Sequence, residues 1–323
     1  MMRKVLIGIA IGLAVIVVGL FLTINMRWDR TFQAPLPAIS ASTDSAVIAR
    51  GRYLVYGPAH CAACHVAPEN QAALEAGQQP PLTGGFVFDI PPGKFYTPNL
   101  TPDSATGIGG RSDGQLARIL RHGVRADGRA AVPFMEAQDA SDEDLTALIS
   151  FLRSQPAVRH DVPAHQLTML GKAVMSFMIT PVGPKTTPPA KTPVEVDVER
   201  GRYMANGLAS CVGCHTERSM VSGAFTGPAF AGGGPMEDHT DPKQEFVPPN
   251  LTPDSATGRI ASWTEETFVA RFRAPGAYAG SPMPWSFFNR ASDEDVKSIY
   301  QYLKSLAPVH RETGPSARPK AED

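Results

Sequence analysis

The chain opens on a run with no polar face and then breaks into short amphipathic stretches separated by long, turn-rich loops. Val5 to Ile24 is apolar over 20 residues, interrupted only by glycines and Thr23. At about 1.5 Å per residue it is long enough to cross a hydrocarbon core of about 30 Å. A cleaved signal peptide has a shorter apolar core with a small-residue site close behind it. Here Met26-Arg27-Trp28-Asp29-Arg30 follows, and Pro37-Ala38-Ile39-Ser40 lies too far downstream, so the pattern predicts an uncleaved anchor. Arg3, Lys4 and the terminal amine favour the amino end in the cytoplasm, which puts everything after about Thr31 outside. Beyond it, Ala49, Tyr53 and Leu54 mark an opening helix. Ser112 and Gln115 form a capping-box pattern ahead of a middle helix, with Thr264 starting its counterpart. Ser141 caps a last helix whose first turn holds Asp142, Glu143 and Asp144, and whose apolar stripe is Leu145, Leu148, Ile149 and Leu152. Val296, Ile299 and Leu303 repeat that stripe. No segment alternates convincingly as a strand, so the expected class is all-α.

The polar landmarks recur in order. Arg50-Gly51-Arg52-Tyr53 returns as Arg200-Gly201-Arg202-Tyr203, Asn99 to Gly107 returns unchanged as Asn250 to Gly258, and Ser141-Asp142-Glu143-Asp144 returns as Ser292-Asp293-Glu294-Asp295. The offsets are 150, 151 and 151 residues, which is one unit duplicated. The expected division is an anchor over 1–30, units over 42–160 and 195–309, a linker over 161–194 and a flexible tail over 310–323. Within the linker, Met169, Met175, Phe177 and Met178 predict a short apolar packing helix, and Thr180 to Val194 reads as extended.

Composition changes the picture in two ways. A net charge of −1 gives no electrostatic reason for a nucleic-acid partner. All 4 cysteines sit in two copies of one pentapeptide, Cys61-Ala62-Ala63-Cys64-His65 and Cys211-Val212-Gly213-Cys214-His215, so none is left for a disulfide framework. Two cysteines two residues apart with histidine next match covalent haem attachment. Each thiol adds to one porphyrin vinyl group, and the adjacent imidazole is carried beneath the ring to bind iron. A thioredoxin-like redox pair would need a βαβ context, and a zinc site would leave both histidines unexplained. The expectation is two covalently bound haem c groups, on Cys61, Cys64, Cys211 and Cys214, with His65 and His215 as axial ligands.

Each iron then needs a sixth ligand or an open site. Methionine sulfur is the usual choice in electron carriers and raises the potential. Met135, in Pro133-Phe134-Met135, is the sole methionine between His65 and the end of the first unit's last helix. Met283 stands in Pro282-Met283-Pro284-Trp285, whereas Met220 and Met236 come too early to reach the opposite ring face. Met135 is six residues before Ser141 and Met283 nine before Ser292, so the two ligand loops cannot be built alike. His122 is the runner-up for the first iron. His60, His160, His165, His239 and His310 read as surface or hydrogen-bonding residues. The repeated Asn-Leu-Thr-Pro-Asp-Ser-Ala-Thr-Gly stretch has the residues of a turn. It is expected to frame the ring and to donate to a propionate.

Together Gly51-Arg52-Tyr53, Cys61 to His65, Asn99 to Gly107 and Ser141 to Arg153, with their second copies, resemble the cytochrome c subunits of membrane-bound bacterial alcohol and gluconate dehydrogenases. The resemblance implies tandem class I cytochrome c domains on the periplasmic side of the inner membrane. It also implies single electrons taken from a partner dehydrogenase and passed to quinone, an oxidase or a soluble cytochrome, with no catalytic residue of the chain's own. Two departures stand out: those subunits resemble three such units in a row, and Val132 occupies the place of Met283 in the first unit. A di-haem peroxidase is the competing reading, requiring one iron that opens beneath an acid-base group. A redox sensor would need an output domain.

Overall fold

The computed structural model describes residues 1–219, 223–238, 240–274 and 280–320. Helix α1 (Met2–Arg27) has an apolar window with a mean hydropathy of 3.1 and no buried share, and only its carboxyl end, at Ile24, is buried. The first unit then runs through α2 (Ser45–Tyr56), α3 (Ala62–His65), α4 (Gln71–Glu75), α5 (Asp113–His122) and α6 (Asp142–Ser154). Helix α7 (Met169–Phe177) lies in the connection. The second unit holds α8 (Val198–Asn206), α9 (Cys211–Cys214), α10 (Glu265–Arg273), α11 (Trp285–Phe288) and α12 (Asp293–Ser305).

The caps explain where these helices begin. Ser112 and Gln115 bond reciprocally as a complete capping box, Thr264 accepts from Thr267 N, and Ser141 and Ser292 accept from Asp144 N and Asp295 N. Glycine explains how they pack. First and last helices of each unit cross at Gly51 and Gly201, where a Cβ would sit 1.9 Å from the carbonyl oxygens of Ala147 and Ser298. Any side chain there would force the crossing apart, so the repeated Arg-Gly-Arg-Tyr marks a backbone-on-backbone contact. One buried apolar cluster runs through both units, from Leu54, Leu145 and Ile149 to Met204, Val296 and Leu303.

The expectation of an all-α fold is not confirmed. Strands β1 (Val87–Ile90), β2 (Gly93–Tyr96) and β3 (Gln166–Leu167) form one antiparallel sheet, and β4 (Met236–Glu237), β5 (Gln244–Phe246) and β6 (Ala317–Pro319) form another. These strands are two to four residues long and β1 is almost wholly exposed, so no hydrophobic alternation announces them. The expected tail includes one strand. Residues 317–319 form the edge strand β6, and Arg318 pairs with Glu245 at 2.6 Å.

The units grip one another reciprocally. Tyr53 donates to Asp295, and its hydroxyl accepts from Ser292 N at 2.9 Å. Tyr203 donates to Asp144 at 2.7 Å, and its hydroxyl accepts from Ser141 N at 3.0 Å. Each carboxylate is also held by an arginine of its own unit, Arg50 on Asp144 at 2.8 Å and Arg200 on Asp295 at 2.7 Å. Burial, and next the facing carboxylate, push both phenols above their ordinary range, so they stay protonated donors. The repeated landmarks are therefore two halves of one interlock.

Candidate haem-binding sites

Each attachment segment is a single helical turn entered through a left-handed residue. His60 and Ser210, immediately ahead of Cys61 and Cys211, have φ of 38° and 48°, which swings the chain out of α2 and α8. Cys61 O accepts from His65 N at 3.1 Å and Cys211 O from His215 N at 3.0 Å. Sulfurs three residues apart on such a turn share a face. The four cysteines are unpaired thiols. Burial pushes Cys61 and Cys211 up to about 12, and raises Cys64 and Cys214 as well. That is the reverse of the thiolate-stabilising setting a redox pair needs.

Beside each pair the histidine is buried and oriented. His65 Nδ1 lies 3.2 Å from Pro98 O, and His215 Nδ1 lies 2.9 Å from Pro249 O. A carbonyl accepts only, so Nδ1 carries the proton and Nε2 keeps its lone pair. Burial pulls His65 down to about 4, against a weaker opposing effect of the Pro98 hydrogen bond, and lowers His215 in the same way. Both imidazoles are thus neutral near pH 7 with an Nε2 lone pair able to bind a metal, and the carbonyl partner fixes the tautomer.

The repeated loop supplies that carbonyl. Asn99, directly after Pro98, donates to Thr106 Oγ1 and Val158 O and accepts from Thr101 N and Oγ1. Asp103 accepts from Thr106 N and Oγ1. Asn250, Thr252, Asp254 and Thr257 repeat the same bonds. Both amide hydrogens of Asn99 and of Asn250 are engaged within the protein, so these two side chains hold the loop and with it the histidine's acceptor.

Two sulfurs on one face of a turn and one neutral, oriented imidazole per unit are the donor set that covalent haem requires, so the residues fit that group. Bound there, it supplies an iron centre that changes by one electron. Among the described residues, no group of three or more His, Cys, Asp or Glu side chains converges as a rival metal site.

The methionines are placed differently. Met283, half-buried just ahead of α11, packs against the shared apolar cluster. Met135 lines a small hollow with Ile119, Val132, Pro133, Gln138 and Val182, and the Cys61–His65 turn is not part of that lining. His122 ends α5 near Gly183 of the linker, and His165 accepts from Tyr96 N. Met220 and His239 lie outside the described residues.

Contacts that no local pattern announces bring the two attachment turns toward each other's partners. Glu136, next to Met135, pairs at 2.7 Å with Arg218, three residues after His215. The His60 ring meets Phe288 at 5.9 Å, and Arg290 donates to Tyr56 O and Leu74 O. The only sequence signal was a charged residue beside each motif, with no sign of a partner 82 residues away.

Comparison with known proteins agrees with this geometry. No family model matches the chain. The cytochrome c subunit of alcohol dehydrogenase (quinone) from Gluconacetobacter polyoxogenes is 30% identical over 88% of this chain and 62% of its own length. The cytochrome c subunit of gluconate 2-dehydrogenase from Pantoea cypripedii is 29% identical over 81% of this chain and 60% of its own length. A protein named diheme cytochrome c-type, from Cereibacter sphaeroides, is 28% identical over 96% of this chain and 100% of its own length. The chain resembles the cytochrome c subunits of bacterial alcohol, gluconate and fructose dehydrogenases. It spans less than two thirds of those dehydrogenase cytochrome subunits, whereas the diheme protein matches it end to end. The diheme match fits a two-unit cytochrome, which is how the duplication reads.

Proposed function

We propose that this chain is a membrane-anchored di-haem cytochrome c that passes single electrons from a partner dehydrogenase to a downstream respiratory acceptor. The observation that carries the reading is the pair of oriented histidines, each beside two cysteines on one turn. In this reading Cys61 and Cys64 hold the first haem and Cys211 and Cys214 the second. His65 and His215 would each ligate an iron through the imidazole, and Met135 and Met283 would supply the thioether ligands. Helix α1 anchors the chain in the bacterial inner membrane, and the haem units over 42–160 and 195–309 stand on the periplasmic side.

The protein's part is positional. Burial keeps both histidines neutral, the Pro98 and Pro249 carbonyls hold them in one orientation, and the reciprocal tyrosines fix one unit against the other. Capped irons change charge without making or breaking bonds, so no catalytic group is needed. The dehydrogenase partner follows from the resemblance; quinone, an oxidase or a soluble cytochrome are the candidate acceptors. The peroxidase alternative is not supported by these relatives. Affinity isolation of the full chain from detergent-solubilised membranes tests this directly. A dehydrogenase should co-purify and reduce both haems when given its substrate, with negligible peroxide turnover. Rapid peroxide turnover after half-reduction, with no dehydrogenase retained, would overturn the proposal.

A further inference from the structure

The linker helix α7 is docked on one side and bare on the other. Its N-cap Thr168 donates to the Pro91 and Pro92 carbonyls at the β1–β2 turn. Gly171 lies so close to that turn that a Cβ would sit 1.9 Å from Pro92 O. The same helix clasps the end of α1. Ser176 donates to Ile24 O at 3.1 Å, Lys172 donates to Asn25 Oδ1 at 3.3 Å, and the Lys172 ammonium sits 5.4 Å over the Trp28 ring. Arg30 donates to Ile179 O just beyond.

The opposite face is largely uncovered by the described residues. Leu170, Val174 and Phe177 recur at i, i+4 and i+7, which is one stripe of a helix. Leu170 is 54% exposed and Phe177 51%, with Met169 and Met178 exposed beside them. Packing against the rest of the chain, which the apolar sequence predicted, accounts for the Gly171 and Ser176 side only.

Depth decides what covers the stripe. Ile24 is the last residue of the apolar run, and α7 is bonded to its carbonyl, so the stripe lies level with the point where the span leaves hydrocarbon. Arg27, Arg30 and Lys172 stand at the same level with Asp29 the one acid among residues 24–30, a cationic ring suited to anionic headgroups. Trp28 belongs at that boundary too. From these contacts we infer that α7 is an interfacial helix whose Leu170–Val174–Phe177 face is covered by the headgroup–acyl boundary of the bilayer. It thereby seats the first unit on the membrane, where α1 alone would leave it tethered. This rests on the anchoring reading of α1 and adds a second membrane contact to it.

The test uses the full chain with both haems, reconstituted in phosphatidylethanolamine–phosphatidylglycerol nanodiscs that carry a diazirine phospholipid. After photolysis, peptide mass spectrometry should find carbene adducts on residues 5–24 and also on 169–178. The variant L170S/F177S should lower adducts on α7 at least fivefold and leave those on α1 unchanged. Adducts on α1 alone would overturn the interfacial helix while keeping the anchor. Adducts on neither would sink the anchor itself. Protection of α7 that appears only when a protein partner is bound would show that a protein, not lipid, covers the stripe, and would also overturn the inference.

Discussion

Replacing Met283 with alanine should lower the potential of one haem on the order of 0.1 V or more, within the roughly 0.8 V range that axial ligands command. The other haem should be untouched. The reason is chemical. A thioether sulfur raises the potential relative to a second nitrogen or water ligand. Met283 is held between Ser281, whose hydroxyl accepts from its backbone N–H, and the start of α11, where Trp285 N donates to its carbonyl. The alanine variant should therefore lose the sulfur–iron absorption of one haem without unfolding, and redox titration would resolve the two components. M135A should do the same to the other haem. If M135A leaves both spectra unchanged, the first iron takes a different sixth ligand, with His122 next to be tested.

Asp144→Ala should cost about 1–3 kcal/mol of stability, the usual penalty for leaving a buried donor without its acceptor. The Asp144 side chain is fully buried and accepts from Arg50 at 2.8 and 3.1 Å and from Tyr203 at 2.7 Å. Its loss leaves a guanidinium and a phenol without their acceptor at the contact between the units. Asp295→Ala should behave alike, because Arg200 and Tyr53 converge on it in the same way. Chemical denaturation of the variants, with protease sensitivity of the 180–194 linker as a second readout, measures the loss. Retention of wild-type stability in both variants would show that the interlock does not hold the units together.

How much of this was legible beforehand depended on the range over which each residue acts. The attachment motifs are local chemistry: thiol, two residues, thiol and imidazole lie on one turn, so spacing alone exposes them. Helix caps are equally local, and Ser112, Ser141, Thr264 and Ser292 all cap where their patterns indicated. Arg50-Gly51-Arg52-Tyr53 was visible as a repeat, but its meaning lies more than 90 residues away. Gly51 admits Ala147 of α6, Arg50 finds Asp144, and Tyr53 finds Asp295 of the other unit. The repeated Asn-Leu-Thr-Pro loop has the residues of a turn, but that its polar groups fix the Pro98 and Pro249 carbonyls against the histidines depends on contacts more than 30 residues apart. The small sheets escaped because their strands are two to four residues long, with Phe95 and Phe246 as the buried apolar residues and no run long enough to show alternation. The tail strand β6 escaped for the same reason.

The central claim is that Cys61–His65 and Cys211–His215 each hold a haem through two thioether bonds. Intact-mass spectrometry of the denatured full chain, made in a host competent for cytochrome maturation, measures this most directly. The mass should exceed that of the polypeptide by two haems, fall by one in C61S/C64S or C211S/C214S, and fall by both when the substitutions are combined. A wild-type chain at the bare polypeptide mass, colourless after denaturation, would contradict the account.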